Sequence, residues 1–254
     1  MKDYIKSLIE KDLRSDERKL LEWRKPIKVE IGVSKKAEGS AKVTIGETEV
    51  IAGIKMNVGE PYTDSPDKGV LITGAELLPL SSPDFNPGPP DQQTIELARV
   101  VDRGIRESGM IDTTKLCIKK GELVWTVFLD IYTINDAGNL IDASALAAVA
   151  ALKNCVFPKL EKDKVKFGEF TKNKLPTKQE PITCTVYKID NKFLIDPTTE
   201  EEKIADARLS IAIDEKGNIN AMQKGGLIAL TVEEIDEMIK IALDKIKELR
   251  KVLK

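Results

Sequence analysis

The segment ELARVVDRGIRESG, residues 96–109, places Arg99, Arg103 and Arg106 at spacings of four and three. On a helix turning about 100° per residue they fall within about 60° of one another, with Leu97, Ala98, Val100, Val101 and Ile105 on the opposite side. Such a face suits an anion, because a guanidinium offers a planar fork of donors that matches phosphate oxygens. An ordinary solvated face is the competing explanation. Asp102 can pair with Arg106 and Glu96 with Arg99, and pairs at these spacings stabilise a helix by about 0.2–0.5 kcal/mol each. A second cluster, DPTTEEEKIADAR, gathers Asp196, Glu200, Glu201, Glu202 and Asp206. Grouped carboxylates could hold Mg²⁺ or protonate a leaving group, or they could form a solvated loop and an exposed turn.

Other chemistry is removed by what the chain lacks. It has no histidine, so nucleophile–histidine catalysis and histidine-ligated metals are excluded, and proton transfer would fall to carboxylates, lysines or tyrosines. Cys117, Cys155 and Cys184 are odd in number and contain no CxxC pair, so they read as small buried hydrophobes. Neither GxxxxGK[ST] nor GxGxxG occurs; KGG at 224–226 and DAGN at 136–139 read as turns. With 40 basic against 42 acidic side chains the net charge is −2, so any nucleic-acid affinity must come from a local patch. No apolar run approaches the roughly 20 residues of a membrane span, and the charged N-terminus is unlike a signal peptide, which implies a cytoplasmic protein.

The elements that must position these residues follow from hydrophobic period. DYIKSLIEKDL reads as a helix and DERKLLEWRK as a second helical turn ended by Pro26. IKVEIGV is a strand, and GSAKVTIGETEVIAGIKMNVG alternates on both sides of Gly46 as a hairpin with one buried face. GVLITGAELLPL is a further strand, leading into the proline-rich loop SSPDFNPGPPD. The arginine-bearing helix is capped by Asp91 and ended by Gly109. LCIKKGELVWTVFLDIYTIN predicts a hairpin whose second strand is central, and DASALAAVAALKN a helix buried between two layers. The strand pattern resumes over 182–226, and Thr231 and Glu234 form a capping box for the last helix. Strands followed by helix occur twice. The fold class is therefore α/β (α+β), with two similar halves and helices packed between mostly antiparallel, mixed sheets. The expected organisation is an N-terminal helical extension over 1–25, a first half over 26–157, a connector over 158–181, and a second half with a C-terminal helix over 182–254.

Four segments in this order, RSDER at 14–18, GSAKVTIGETEV at 39–50, ELARVVDRGIRES at 96–108 and DPTTEEE at 196–202, resemble the RNase PH family. Within it the chain is similar to the non-catalytic RNase PH-type subunit of the archaeal exosome. Active members are phosphate-dependent 3′→5′ exoribonucleases: phosphate attacks the terminal RNA linkage and releases a nucleoside diphosphate. They grip that phosphate with a glycine, a small hydroxyl residue and an arginine ahead of the alanine-rich helix. Here the run NDAGNLIDASALAA keeps Gly138, continues with Asn139 and Leu140, has no arginine, and offers Asp136 and Asp142 instead. In the acidic motif Glu202 falls near one family position, Arg208 at the second, and Asp206 only nearby.

The resemblance implies an RNase PH-like fold with no catalytic residues, metal ligands or cofactor of its own. Inorganic phosphate and Mg²⁺ would belong to the site of a catalytic RNase PH-type partner. The two subunits would form a heterodimer and three dimers a hexameric ring, joined by RNA-binding cap proteins and threaded by single-stranded RNA. Arg99 and Arg103, then Arg106, would contact that RNA. Two alternatives stay open: an autonomous phosphorolytic exoribonuclease with a diverged site at Asp196, Glu202 and Asp206, and a scaffold whose arginine face pairs with acids of a neighbour. The Arg14–Arg18 segment reads equally as a subunit contact or a helix start.

Overall fold

The computed structural model describes residues 2–253. Strands β1 (Ile27–Ile31), β2 (Gly39–Ile45), β3 (Thr48–Gly59), β4 (Val70–Glu76), β5 (Cys117–Lys119) and β6 (Leu123–Asn135) form a mixed sheet in the order β1-β2-β3-β6-β4, with β5 against β6. The alternation in β2 and β3 has its expected effect: Val43, Ile45, Val50, Ala52, Ile54 and Met56 are all fully buried. β6 lies between β3 and β4, as its apolar run implies. β4 pairs with β6 in parallel because helix α2 (Gln92–Ser108) lies on the crossover between them.

The segment downstream builds a second, antiparallel sheet from β9 (Ile182–Ile189), β10 (Lys192–Ile195), β11 (Ala207–Ile213) and β12 (Ile219–Gly226), ordered β10-β9-β11-β12. Helices α2, α3 (Leu140–Lys153) and α5 (Val232–Val252) each touch strands of both sheets and form the layer between them. That position explains the composition of α3. Every residue from Leu140 to Leu152 is buried, and a helix enclosed on all sides has no polar face to keep. α5 starts at the expected Thr231–Glu234 capping box. No helix among the described residues is long and apolar enough to cross a membrane.

Three readings need correction. DERKLLEWRK forms turns, not helix: α1 (Lys2–Glu10) is followed by irregular chain up to β1, because arginines in that stretch draw it onto the second half. Segment 158–181 is not bare connector. Most of it belongs to a two-stranded hairpin of β7 (Val156–Glu161) and β8 (Lys164–Lys174) with an irregular register. Among the cysteines, Cys155 and Cys184 are buried, and burial pushes the Cys155 thiol up to about 12, but Cys117 is partly exposed at the start of β5. The N-terminal segment also has a small core of its own, where Ile5 and Ile9 pack with Tyr187, Ile189, Leu194 and Ile204.

Candidate nucleic-acid interface and a closed anion site

Helix α2 forms as its sequence dictates. Asp91 caps it, accepting from the Thr94 backbone N–H at 2.8 Å, and Gly109 ends it in the left-handed region at φ 66°. Leu97, Val100, Val101 and Ile105 are buried, which turns Arg99, Arg103 and Arg106 outward to an exposed face. The three differ in what they touch. Arg106 is tied down: its Nε and Nη2 donate to Asp102 at 2.9 Å each, and Nη2 also donates to the Leu71 carbonyl at 3.0 Å. The expected Glu96–Arg99 pair does not form, because Glu96 reaches across to Arg208 on β11 at 2.7 Å. Arg99 and Arg103 have neither an ion pair nor a side-chain hydrogen bond among the described residues.

The acidic cluster is not a solvated loop throughout: Glu200 is exposed, but other carboxylates in it turn inward. Asp196 and Glu201 are buried at 0% and 1% exposure. Thr198 and Glu201 close a capping box on the short helix α4 (Thr199–Ile204). Glu201 also receives Arg14 in a two-point contact, Nε at 2.9 Å and Nη2 at 2.5 Å, while Arg14 spends its other donors on the carbonyls of Ile195 and Asp196. Arg24 forks onto Asp196 at 2.8 and 3.1 Å and donates to the carbonyls of Ala137 and Gly138. Arg18 reaches the Asp196 carbonyl at 3.1 Å. The RSDER segment is thus an internal clamp joining the N-terminal chain to the 195–201 turn, and no helix starts there. Asp206 accepts from the Asp190 N–H at 2.7 Å, so Asp196, Glu202 and Asp206 are engaged separately. No group of three or more acidic or cysteine side chains among the described residues is arranged to hold a metal.

The turn ahead of α3 is where a bound anion would find backbone donors and the positive end of a helix dipole. Here two of the donors are used by the chain's own carboxylates. The Gly138 N–H donates to Asp136 at 2.9 Å, and the N–H of Asn139, the N-cap residue, donates to Glu202 at 3.1 Å. Tyr187 Oη also donates to Glu202, at 2.6 Å, and the Asn139 amide donates to Asp196 at 3.0 Å. Gly138 is held at φ +97° so close to the next segment that a Cβ would lie 2.5 Å from the Pro197 carbonyl oxygen. No substitution could open the turn without displacing that segment. Burial raises the carboxyl pKa of both Asp136 and Glu202, against the pull of their donors. Beside them lies a cavity of about 300 Å³ whose charged lining is Asp84, Glu96, Asp136 and Glu202 against Lys203 and Arg208. This lining does not fit a phosphate dianion: acids outnumber bases, and the N–H groups of Gly138 and Asn139 are engaged by carboxylates. Asp142, expected near the turn, is instead fully buried beneath it, bonded to the N–H and hydroxyl of Thr185.

Sequence reasoning missed Arg24, Tyr187 and the inward roles of Arg14 and Glu202. A signal was present: the N-terminal stretch is otherwise rich in lysine, yet has arginine at 14, 18 and 24, the residue suited to forked, buried contacts.

Comparisons with known proteins bear on the family and the fold. Residues 24–158 match the 3′ exoribonuclease family (RNase PH), domain 1, and residues 179–245 match domain 2. Exosome complex component Rrp42 of Methanosarcina acetivorans is 48% identical, over 98% of this chain and 91% of that protein. The corresponding component of Pyrococcus furiosus is 46% identical over 100% and 92%. A chain of the Archaeoglobus fulgidus exosome with RNA bound to the active site superposes with a TM-score of 0.91 at 46% identity, covering 100% of this chain and 97% of that one. A chain of an archaeal exosome core gives 0.88 at 43% identity, covering 99% and 95%.

Proposed function

The chain belongs to the RNase PH-type 3′ exoribonuclease family, and from that premise we propose that it is an exosome ring component that guides RNA and leaves phosphorolysis to a partner subunit. The observation that carries this reading is the state of the arginines. Arg14, Arg18, Arg24, Arg106, Arg208 and Arg250 all have partners within the chain, and Arg99 and Arg103 are the two arginines without a partner among the described residues. They stand four residues apart on one exposed helix face, where they can hold successive phosphates without reading bases. Catalytic silence is supported by the turn ahead of α3, where Asp136 and Glu202 occupy two backbone donors and line the adjoining cavity with negative charge. The catalytic RNase PH-type partner would supply the phosphate and Mg²⁺ sites, in a trimer of heterodimers that cap proteins join.

The test is co-expression with a catalytic RNase PH-type subunit, followed by mass measurement and RNA decay with and without inorganic phosphate. The chain alone is expected not to shorten RNA, and the assembled ring to do so only with phosphate. Arg99→Ala with Arg103→Ala should leave the ring's mass unchanged and slow decay at low enzyme concentration. Phosphate-dependent release of nucleoside diphosphates by the lone chain would overturn the silence. Undiminished decay by the double variant would overturn the guiding role and leave the arginines as scaffold contacts.

A further inference from the structure

Beyond the last turn of α2, residues 62–71 border a cavity of about 240 Å³ whose chemistry differs from that of the acidic one. Val70 and Ile105, 7% and 2% exposed, form an apolar wall. Tyr62 lines the cavity while remaining 59% exposed, and its hydroxyl has no hydrogen-bond partner among the described residues. Lys68, also exposed, has no ion pair among the described residues. Arg106 completes the lining. Its Nε and Nη2 are fixed by Asp102 and the Leu71 carbonyl, which holds the guanidinium in place and leaves Nη1 as a free donor. Arg106 lies two turns from Arg99 on the same helix face, a rise of about 10 Å.

A flat ring with hydrogen-bond acceptors on its edge and a phosphate beside it matches these groups. The volume falls below the roughly 300–1,000 Å³ of sites for larger ligands, which suits a single base. We infer that this cavity receives one base of the RNA strand whose neighbouring phosphates lie on Arg99 and Arg103. Tyr62 stacks on the base, Arg106 Nη1 donates to its edge, and Lys68 meets the adjoining phosphate. The inference rests on the proposed guiding role of α2 and adds a subsite that contacts the base itself, where Arg99 and Arg103 contact only backbone.

The test uses the full chain assembled with a catalytic RNase PH-type subunit, in phosphate-free buffer so that the strand is not consumed. Binding of a short fluorescent oligoadenylate and of an abasic strand of equal length is read by anisotropy. Tyr62→Ala should weaken oligoadenylate binding about tenfold, which is about 1.4 kcal/mol, and leave the abasic strand unaffected. Tyr62→Phe, which keeps the ring, should bind as the parent does. Arg99→Ala with Arg103→Ala should weaken both strands alike. If only the arginine variant has an effect, the base subsite is wrong and the guiding role stands. If neither has an effect, both fall. Loss of assembly in Tyr62→Ala would identify the cavity as a protein contact and overturn the inference.

Discussion

The difference between Arg106 and the two unpaired arginines has a measurable consequence in the salt dependence of RNA binding. Each phosphate neutralised on a single strand contributes about −0.7 to the slope of log K against log[salt], because it releases condensed counterions. Three equivalent arginines would contribute about −2.1 and two about −1.4. On the proposed reading two count, since Asp102 already neutralises Arg106 with paired bonds of 2.9 Å. The slope for the ring carrying Arg99→Ala and Arg103→Ala should therefore be shallower than the parent's by about 1.4, so the affinity ratio of parent to variant should shrink about sevenfold between 50 and 200 mM salt. Arg106→Ala should change the slope by less than either single variant at 99 or 103. Anisotropy titrations of a fluorescent oligoribonucleotide at four salt concentrations, without phosphate, measure both quantities. Parallel slopes for parent and double variant would refute the phosphate contacts. An Arg106→Ala slope change as large as that of Arg99→Ala would refute the reasoning from internal pairing.

Two further outcomes concern stability. Arg14→Ala leaves Glu201 buried at 1% exposure without its forked partner, so urea unfolding should show a loss of about 3–5 kcal/mol, the cost of an uncompensated buried charge; a loss below about 1 kcal/mol would mean the clamp is not structural. Asp142 has its pKa pushed up to about 7 by burial, against about 3.9 in an unfolded chain. Between those values the native state keeps a proton that the unfolded state has lost. The stabilisation is thus fully present below about pH 4 and is lost as pH rises through about 7, with a slope of up to about 1.4 kcal/mol per unit. Asp142→Asn removes this dependence. Across pH 5–8 the parent's melting temperature should fall relative to the variant's, and parallel curves would reject the protonated carboxyl.

The fold was legible where period and punctuation act locally. β2 and β3 follow their alternation, α2 its caps, and α3 its lack of a polar face. What stayed hidden depends on contacts between distant residues. Nothing local distinguishes the 16–25 stretch from a helix, since its arginines are set by acids more than 170 positions away, as in the Arg24–Asp196 pair. The β7–β8 hairpin was obscured by Pro158 and by an irregular register that breaks the period-2 pattern. Within the candidate site, helical spacing was enough to give the common face of Arg99, Arg103 and Arg106. It could not show that Glu96 prefers Arg208 on another sheet, and that choice is what frees Arg99.

The two halves of the site are linked through this reassignment. Arg208 stands where the family resemblance implies an acid, on the strand facing the cavity. A cation there has to be balanced, and Glu96 in the first turns of α2 does so at 2.7 Å. With Glu96 engaged, Arg99 loses the only acid three positions before it on its own helix. The residue at 208 that departs from the family's acid is therefore also the one that draws Glu96 away from the Arg99 guanidinium on the outer face. A chain retaining a carboxylate at 208 would repel Glu96 and return it toward Arg99, giving the solvated, self-paired helix that the sequence alone also permits. In this chain the departure from the family's acid at 208 and the unpaired state of Arg99 meet in a single ion pair.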